Sequence, residues 1–199
     1  MNAFAEKSAA RAAFIDRDGV INVEHNYVHR IEDFELIAGV PEGLAQLAAA
    51  GYKLVVVTNQ AGIARGFYTE ADMNRLHEHL RAELAAHDVH IDAIYHCPHH
   101  PQGKVAEYAI SCDCRKPAPG MLLQAAREMN LDLSASVLVG DKISDIEAGR
   151  AAGMRLAVLV RSGHAFDAAA EALADAVTDD LRAAAETIVT MTNTTGVSP

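Results

Sequence analysis

The chain has 199 residues, half of them hydrophobic, which is enough for one sizeable core and an ordinary globular composition. A formal charge of −10 argues against a nucleic-acid partner or an anionic membrane surface, because phosphate-rich surfaces reward clustered Lys and Arg. No apolar run reaches the ~18 residues of a membrane span, and residues 1–11 carry no hydrophobic signal core; a cytoplasmic protein of one domain is expected. Three cysteines are too few for a disulfide framework, so any shared role is metal or redox.

The chain's first strong signal is the apolar run Ala12 to Ile15, which leads directly into Asp16, Arg17, Asp18 and Gly19. A continuous apolar run predicts a central parallel strand covered on both faces, and its carboxyl end is where open α/β sheets bind ligands. Two carboxylates converging there repel one another unless a cation sits between them, and Mg²⁺ is suited to one or two carboxylates plus phosphate oxygens. The pair on its own reads equally as a solvated turn after a strand.

Residues 22–39 form a loop too apolar for a linker. A helix over 42–50 follows, opened by Pro41 and stopped by Gly51. Residues 53–57 predict a second buried strand ending in Thr58, Asn59 and Gln60, neutral donors that suit an anion or a plain turn. Thr69 and Asp72 make a capping box for a helix carrying Met73, Leu76, Leu80 and Leu84. The histidines of this segment, His77, His79 and His87, are read as surface residues without function.

A third strand, 91–95, runs into Cys97-Pro98-His99 and, after a loop, Cys112-Asp113-Cys114. Three thiolates and an imidazole in two close pairs are the ligand set of a closed, structural Zn²⁺ site, with His100 an alternative to His99. Arg115 and Lys116 abut this loop, which would fix their positions. A helix over 121–129 ends near Asn130. Strand 136–139 then delivers Asp141 and Lys142, and Ser144 and Glu147 read as a second capping box with Asp145 in the first turn. A fifth strand over 155–160 ends in Arg161, Ser162, Gly163 and His164. An Ala-rich helix over 167–174, a short strand at 176–177 and a helix over 179–189 complete the fold, and 193–199 are expected to be a disordered tail. Strand, polar strand end and helix recur in order, predicting a doubly wound, mostly parallel α/β sheet.

In order, the strand ends carry two carboxylates, a Thr-Asn, an Arg-Lys and an Asp with a second Asp close by. This set resembles the haloacid dehalogenase (HAD) superfamily of phosphatases over residues 14–163. Within it DRDGVIN, VVVTNQAGIARG, CPHHPQG, CDCRKPAPGM and VGDK resemble the D-glycero-D-manno-heptose-1,7-bisphosphate 7-phosphatase family, which serves ADP-heptose and lipopolysaccharide core synthesis. The resemblance implies a HAD-like domain without a large cap, acting alone as a monomer on a small sugar bisphosphate. Asp16 would be the nucleophile and Asp18 the general acid and base. Thr58 and Lys116 would hold the phosphoryl oxygens. Mg²⁺ would be bound by Asp16, the Asp18 backbone carbonyl and Asp141, and Zn²⁺ by Cys97, His99, Cys112 and Cys114. Substrate contacts would fall on Asp16, Arg17, Asp18, Glu24, His25, Asn26, Tyr27, Thr58, Asn59, Gln60, Ala61, Arg115, Lys116 and Lys142. Two other readings stand beside it: a histidinol-phosphate phosphatase, and a zinc-stabilised binding module without catalysis.

Overall fold

The central strand β1 (Ala12–Ile15) sends alternate side chains to opposite faces, and all four are buried. Ala13 and Ile15 join one apolar cluster, while Ala12 and Phe14 join a second. The continuous apolar run is therefore two period-2 patterns superposed, as a strand covered on both faces requires. The computed structural model describes residues 9–193, so of the tail expected at 193–199 residues 194–199 lie outside it, while Asn193 is not tail but the last residue of a helix.

Six parallel strands make the sheet, in the order β3-β2-β1-β4-β5-β6. They are β1, β2 (Lys53–Asn59), β3 (Ala93–Cys97), β4 (Val137–Gly140), β5 (Leu156–Val160) and β6 (Ala176–Thr178). One face is covered by α1 (Val40–Ala49), α3 (Glu70–Ala85) and α7 (Leu181–Asn193), through Leu44, Leu80 and Leu181 among others. Met121 of α4 (Gly120–Met129) and Ala148 of α5 (Ile143–Ala151) pack on the other. Two short helices, α2 (Ala61–Arg65) and α6 (Ala168–Leu173), complete the set. The strand order reverses direction between β1 and β4, and such a switch point opens a crevice at the carboxyl ends of the strands.

Four expectations need correcting. Strand β3 begins two residues later than predicted: the Asp92 N–H still bonds Leu54 O at 2.9 Å, but the Leu54 N–H goes to the Asp92 carboxylate at 2.9 Å and not to a backbone carbonyl, and the same carboxylate takes Lys53 Nζ at 2.8 Å. Helix α5 is capped by Lys142 and Asp145, whose Oδ2 accepts from Lys142 N at 3.0 Å, so Ser144 lies inside the helix. His77 is buried at 5% exposure, on the same side of α3 as Leu76 and Leu80. The predicted loop over 22–39 contains a 3₁₀ turn at Ile31–Asp33 and buries Val28 and Phe34. The Thr69–Asp72 capping box forms as expected, and Asn130 ends α4 in a left-handed conformation. Among the described residues no helix is long and apolar enough to cross a membrane.

Candidate active site

Asp16 directly follows β1, its N–H still in the ladder with Val139 O at 2.9 Å, and Asp141 directly follows β4. The ladder thus brings two carboxylates to neighbouring strand ends, and the first turn of α5 adds Asp145. One oxygen from each lies within 4.8 Å of the others, and all three residues are buried. Lys116 answers this negative charge. Its Nζ stands 2.6 Å from Asp145 Oδ1 and 3.0 Å from Asp16 Oδ1, and donates to Val57 O at 2.8 Å. Burial pushes the Asp16 carboxyl up to about 6 against the pull of Lys116, with Asp145 and Asp18 adding to the rise. For Lys116 burial works downward, but Asp145 and Asp16 outweigh it and hold the ammonium above its ordinary value.

The side chain of Asp18 turns away from that trio. Its carboxylate takes Arg17 NH2 at 2.8 Å, Asn22 Nδ2 at 3.1 Å and Gln60 Nε2 at 3.0 Å. Burial alone would raise its pKa; the guanidinium reverses the sign and keeps it below the usual range. Arg17 is fully buried and also donates to Val28 O and toward His77 Nε2, at 2.8 and 3.2 Å.

A cleft of about 500 Å³ opens over these groups. Of the sequence-predicted contacts, Asp16, Asp18, Glu24, Asn26, Tyr27 and Thr58 line it, and so do Asn59, Gln60, Ala61, Arg115, Lys116 and Lys142. Arg17 and His25 do not. Arg17 lies between two residues whose side chains reach the mouth, and its own points into the protein; His25 is exposed outside the cleft. Two lining amides are already engaged. Asn59 brackets the Lys116 backbone, accepting from its N–H at 3.1 Å and donating to its carbonyl at 3.0 Å. Gln60 donates to Thr58 Oγ1 at 2.8 Å and accepts from Tyr68 OH at 2.6 Å. These side chains brace other groups where the sequence offered them as anion donors. Glu24 is raised by burial and then by Asp18. Sequence reasoning did not single out Arg65, Tyr68 and His164 as site residues, yet all three line the cleft. His164 was the most legible of them, standing at a strand end like the acids.

Beyond β3, residues 98–119 contain no helix or strand, and they bring the second cluster together. Cys97, Cys112 and Cys114 place their sulfurs 3.1–3.5 Å apart, and His99 Nδ1 lies 3.3 Å from Cys114 Sγ. A tetrahedron of 2.3 Å metal–sulfur bonds has edges of about 3.8 Å, so three thiols and an imidazole at this spacing fit one soft cation. His100 is turned elsewhere, its Nδ1 accepting from Gln102 N and its Nε2 facing Arg65. Arg115 donates toward His99 O at 3.4 Å, which ties the guanidinium to the cluster.

Strand order, switch-point crevice and acid–lysine centre define a HAD-like hydrolase, and a family model described as HAD-hydrolase-like matches residues 113–184. The chain is 51% identical over 170 residues to the D-glycero-β-D-manno-heptose-1,7-bisphosphate 7-phosphatase of Yersinia pestis, covering 85% of this chain and 90% of that protein. The protein of the same name from Escherichia coli K12 is 52% identical, with 85% and 89% covered. Among solved structures, the D,D-heptose 1,7-bisphosphate phosphatase of B. bronchiseptica, complexed with magnesium and phosphate, matches with a TM-score of 0.77 at 31% identity, over 91% of this chain and 99% of that one. The chain belongs to the D-glycero-β-D-manno-heptose-1,7-bisphosphate 7-phosphatase family.

Proposed function

We propose that the protein removes the 7-phosphate of D-glycero-β-D-manno-heptose 1,7-bisphosphate with Mg²⁺ as cofactor. The observation that carries this reading is the buried trio Asp16, Asp141 and Asp145 with Lys116 among them at the switch point, in a chain half identical to phosphatases of that name. The trio suits a hard divalent cation: all donors are carboxylates, and Asp141 Oδ1 is buried without a hydrogen-bond partner among the described residues. Asp16, Asp141 and the Asp18 carbonyl would hold it. Bound there, Mg²⁺ neutralises phosphoryl and carboxylate oxygens so that one anion can approach another.

Asp16 is the attacking carboxylate and forms an aspartyl phosphate. It must be ionised to attack; burial opposes that, and Lys116 at 3.0 Å favours it. Lys116 and the Thr58 hydroxyl hold the transferring oxygens where charge accumulates. Asp18 acts as general acid and base: it gives a proton to the leaving oxygen, for which it must first swing off the Arg17 guanidinium that holds it ionised here, and it then takes one from the water that hydrolyses the intermediate. Its ties to Arg17 and Gln60 fix where it waits. Arg115 takes the second phosphate of the substrate, its planar fork being suited to phosphate oxygens. The Cys97, His99, Cys112 and Cys114 cluster holds Zn²⁺ in a structural role, since four protein donors leave no open position.

Purified protein with Mg²⁺ should release phosphate from the bisphosphate at a higher kcat/KM than from histidinol phosphate. The reverse order would move the assignment to the histidinol substrate, and no release from either would favour a binding module.

A further inference from the structure

Asp141 is fully buried, yet its two oxygens are treated unequally. Oδ2 accepts the backbone N–H of His164 at 2.8 Å and lies 2.6 Å from Nδ1 of the same residue, so two donors converge on one atom. Oδ1 is buried with no hydrogen-bond partner among the described residues. Two glycines close the carboxylate in: a Cβ on Gly19 would stand 2.5 Å from Oδ2, and one on Gly163 2.2 Å from it. Gly19 also has φ +86°, a conformation that side chains rarely adopt. Asp141 therefore has little room to rotate, and a buried carboxylate oxygen without a partner is costly unless something positive meets it.

We propose that His164 is a positioning residue for the cation site, its ring and backbone N–H holding Asp141 Oδ2 so that Oδ1 is presented to the ion. This rests on the reading of the acidic trio as the Mg²⁺ site. A ring N–H given to a metal-binding carboxylate fixes the ligand's orientation, and losing such a partner weakens metal binding about 10–100-fold. Here the backbone donor survives substitution, so the lower end of that range applies. His164 is the only residue of the β5 end that bonds Asp141 among the described residues; neighbouring Ser162 instead donates to Gly19 O at 2.8 Å.

The test is Mg²⁺ binding to the full chain without substrate, by calorimetry, repeated with Mn²⁺ by electron paramagnetic resonance. His164→Ala should weaken the site about tenfold. His164→Asn keeps a donor where Nδ1 stood and should recover most of the affinity. The amide of His164→Gln sits where Nε2 stood, beyond Asp141, and this variant should bind as weakly as alanine. Binding within about twofold of wild type in both alanine and glutamine variants would overturn the proposal. So would an asparagine variant no better than alanine, because ring bulk rather than the hydrogen bond would then be at work. A wild-type chain that binds Mg²⁺ but leaves the heptose bisphosphate intact would sink the substrate assignment and leave this inference standing.

Discussion

The acidic crevice and the cysteine cluster are both knots of chemically similar groups packed within a few ångströms, but they are held in opposite ways. At the crevice, hydrogen-bonded strands set the positions: Asp16 and Asp141 are at adjacent strand ends before any side chain is considered, and Lys116 offsets their charge. Residues 98–119 have no ladder or helix, so the cluster of Cys97, His99, Cys112 and Cys114 has to organise its own backbone. A side chain removed from the first region should cost chemistry and spare the fold. A side chain removed from the second should cost structure, and chemistry only through it.

The largest effect expected is at the nucleophile. Asp16→Asn preserves shape and relieves like-charge repulsion, so its melting temperature should be unchanged or slightly higher, while phosphate release falls by at least about 10³-fold, ~4 kcal/mol of barrier. Activity within about tenfold of wild type would end the covalent reading. Cys112→Ser is the mirror experiment. Elemental analysis of the wild-type protein should find about one zinc per chain, and the variant should lose it together with several kcal/mol of stability, read by denaturant unfolding. Wild-type protein purified without chelator and free of zinc would remove the contrast altogether.

Arg115→Ala probes the seam between the regions, because this guanidinium is anchored to His99 O and faces the cleft. Its kcat/KM for the bisphosphate should drop about tenfold or more, in line with ~1.5–3 kcal/mol for a charge-assisted bond, with a much smaller loss on the sugar 7-phosphate lacking the second phosphate. Equal losses on both would mean that Arg115 braces the loop and does not read the substrate.

The smallest effect concerns the wall behind the crevice. Burial, reinforced by Arg17, pushes His77 down from 6.5 to about 3. In the unfolded chain it gains a proton as pH falls below 6.5, whereas the folded protein refuses that proton until about 3. The unfolded state binds more protons across this window, so His77 makes stability decline on acidification, by at most ~1.4 kcal/mol per pH unit. His77→Gln keeps an acceptor for Arg17 without the titration. Urea unfolding at pH 7 and pH 5 should show a shallower acid loss for the variant; parallel losses would refute the burial argument.

Strand ends were the most legible part of this protein. Each of Asp16, Thr58 and Asp141 follows an apolar run whose length and continuity mark it as a covered strand, and parallel pairing then gathers the ends on one side. The cysteine spacing was legible for a different reason: few arrangements satisfy three thiols and an imidazole except a shared ion. What escaped was set by partners far away in sequence. His77 sits on a helical face that periodicity identifies, but its acceptor role needs Arg17, 60 residues earlier. Asn59 looked like an anion donor until the Lys116 backbone, 57 residues on, claimed both ends of its amide. Asp145 was placed in a first turn correctly, but its bond back to Lys142 N displaced the capping box expected two residues later.

Lys116 has a consequence for the order in which this protein is assembled. Three buried carboxylates without a cation would make the folded state wait for an ion before it could close. Because the chain brings its own ammonium to Asp16 and Asp145, one of the three charges is offset by a residue synthesised after Asp16 and before Asp145. The crevice can then shut as soon as β4 and the first turn of α5 join the sheet. With Lys116 in place the site needs less from an ion to close, so a metal would enter a largely formed crevice and would not be its scaffold.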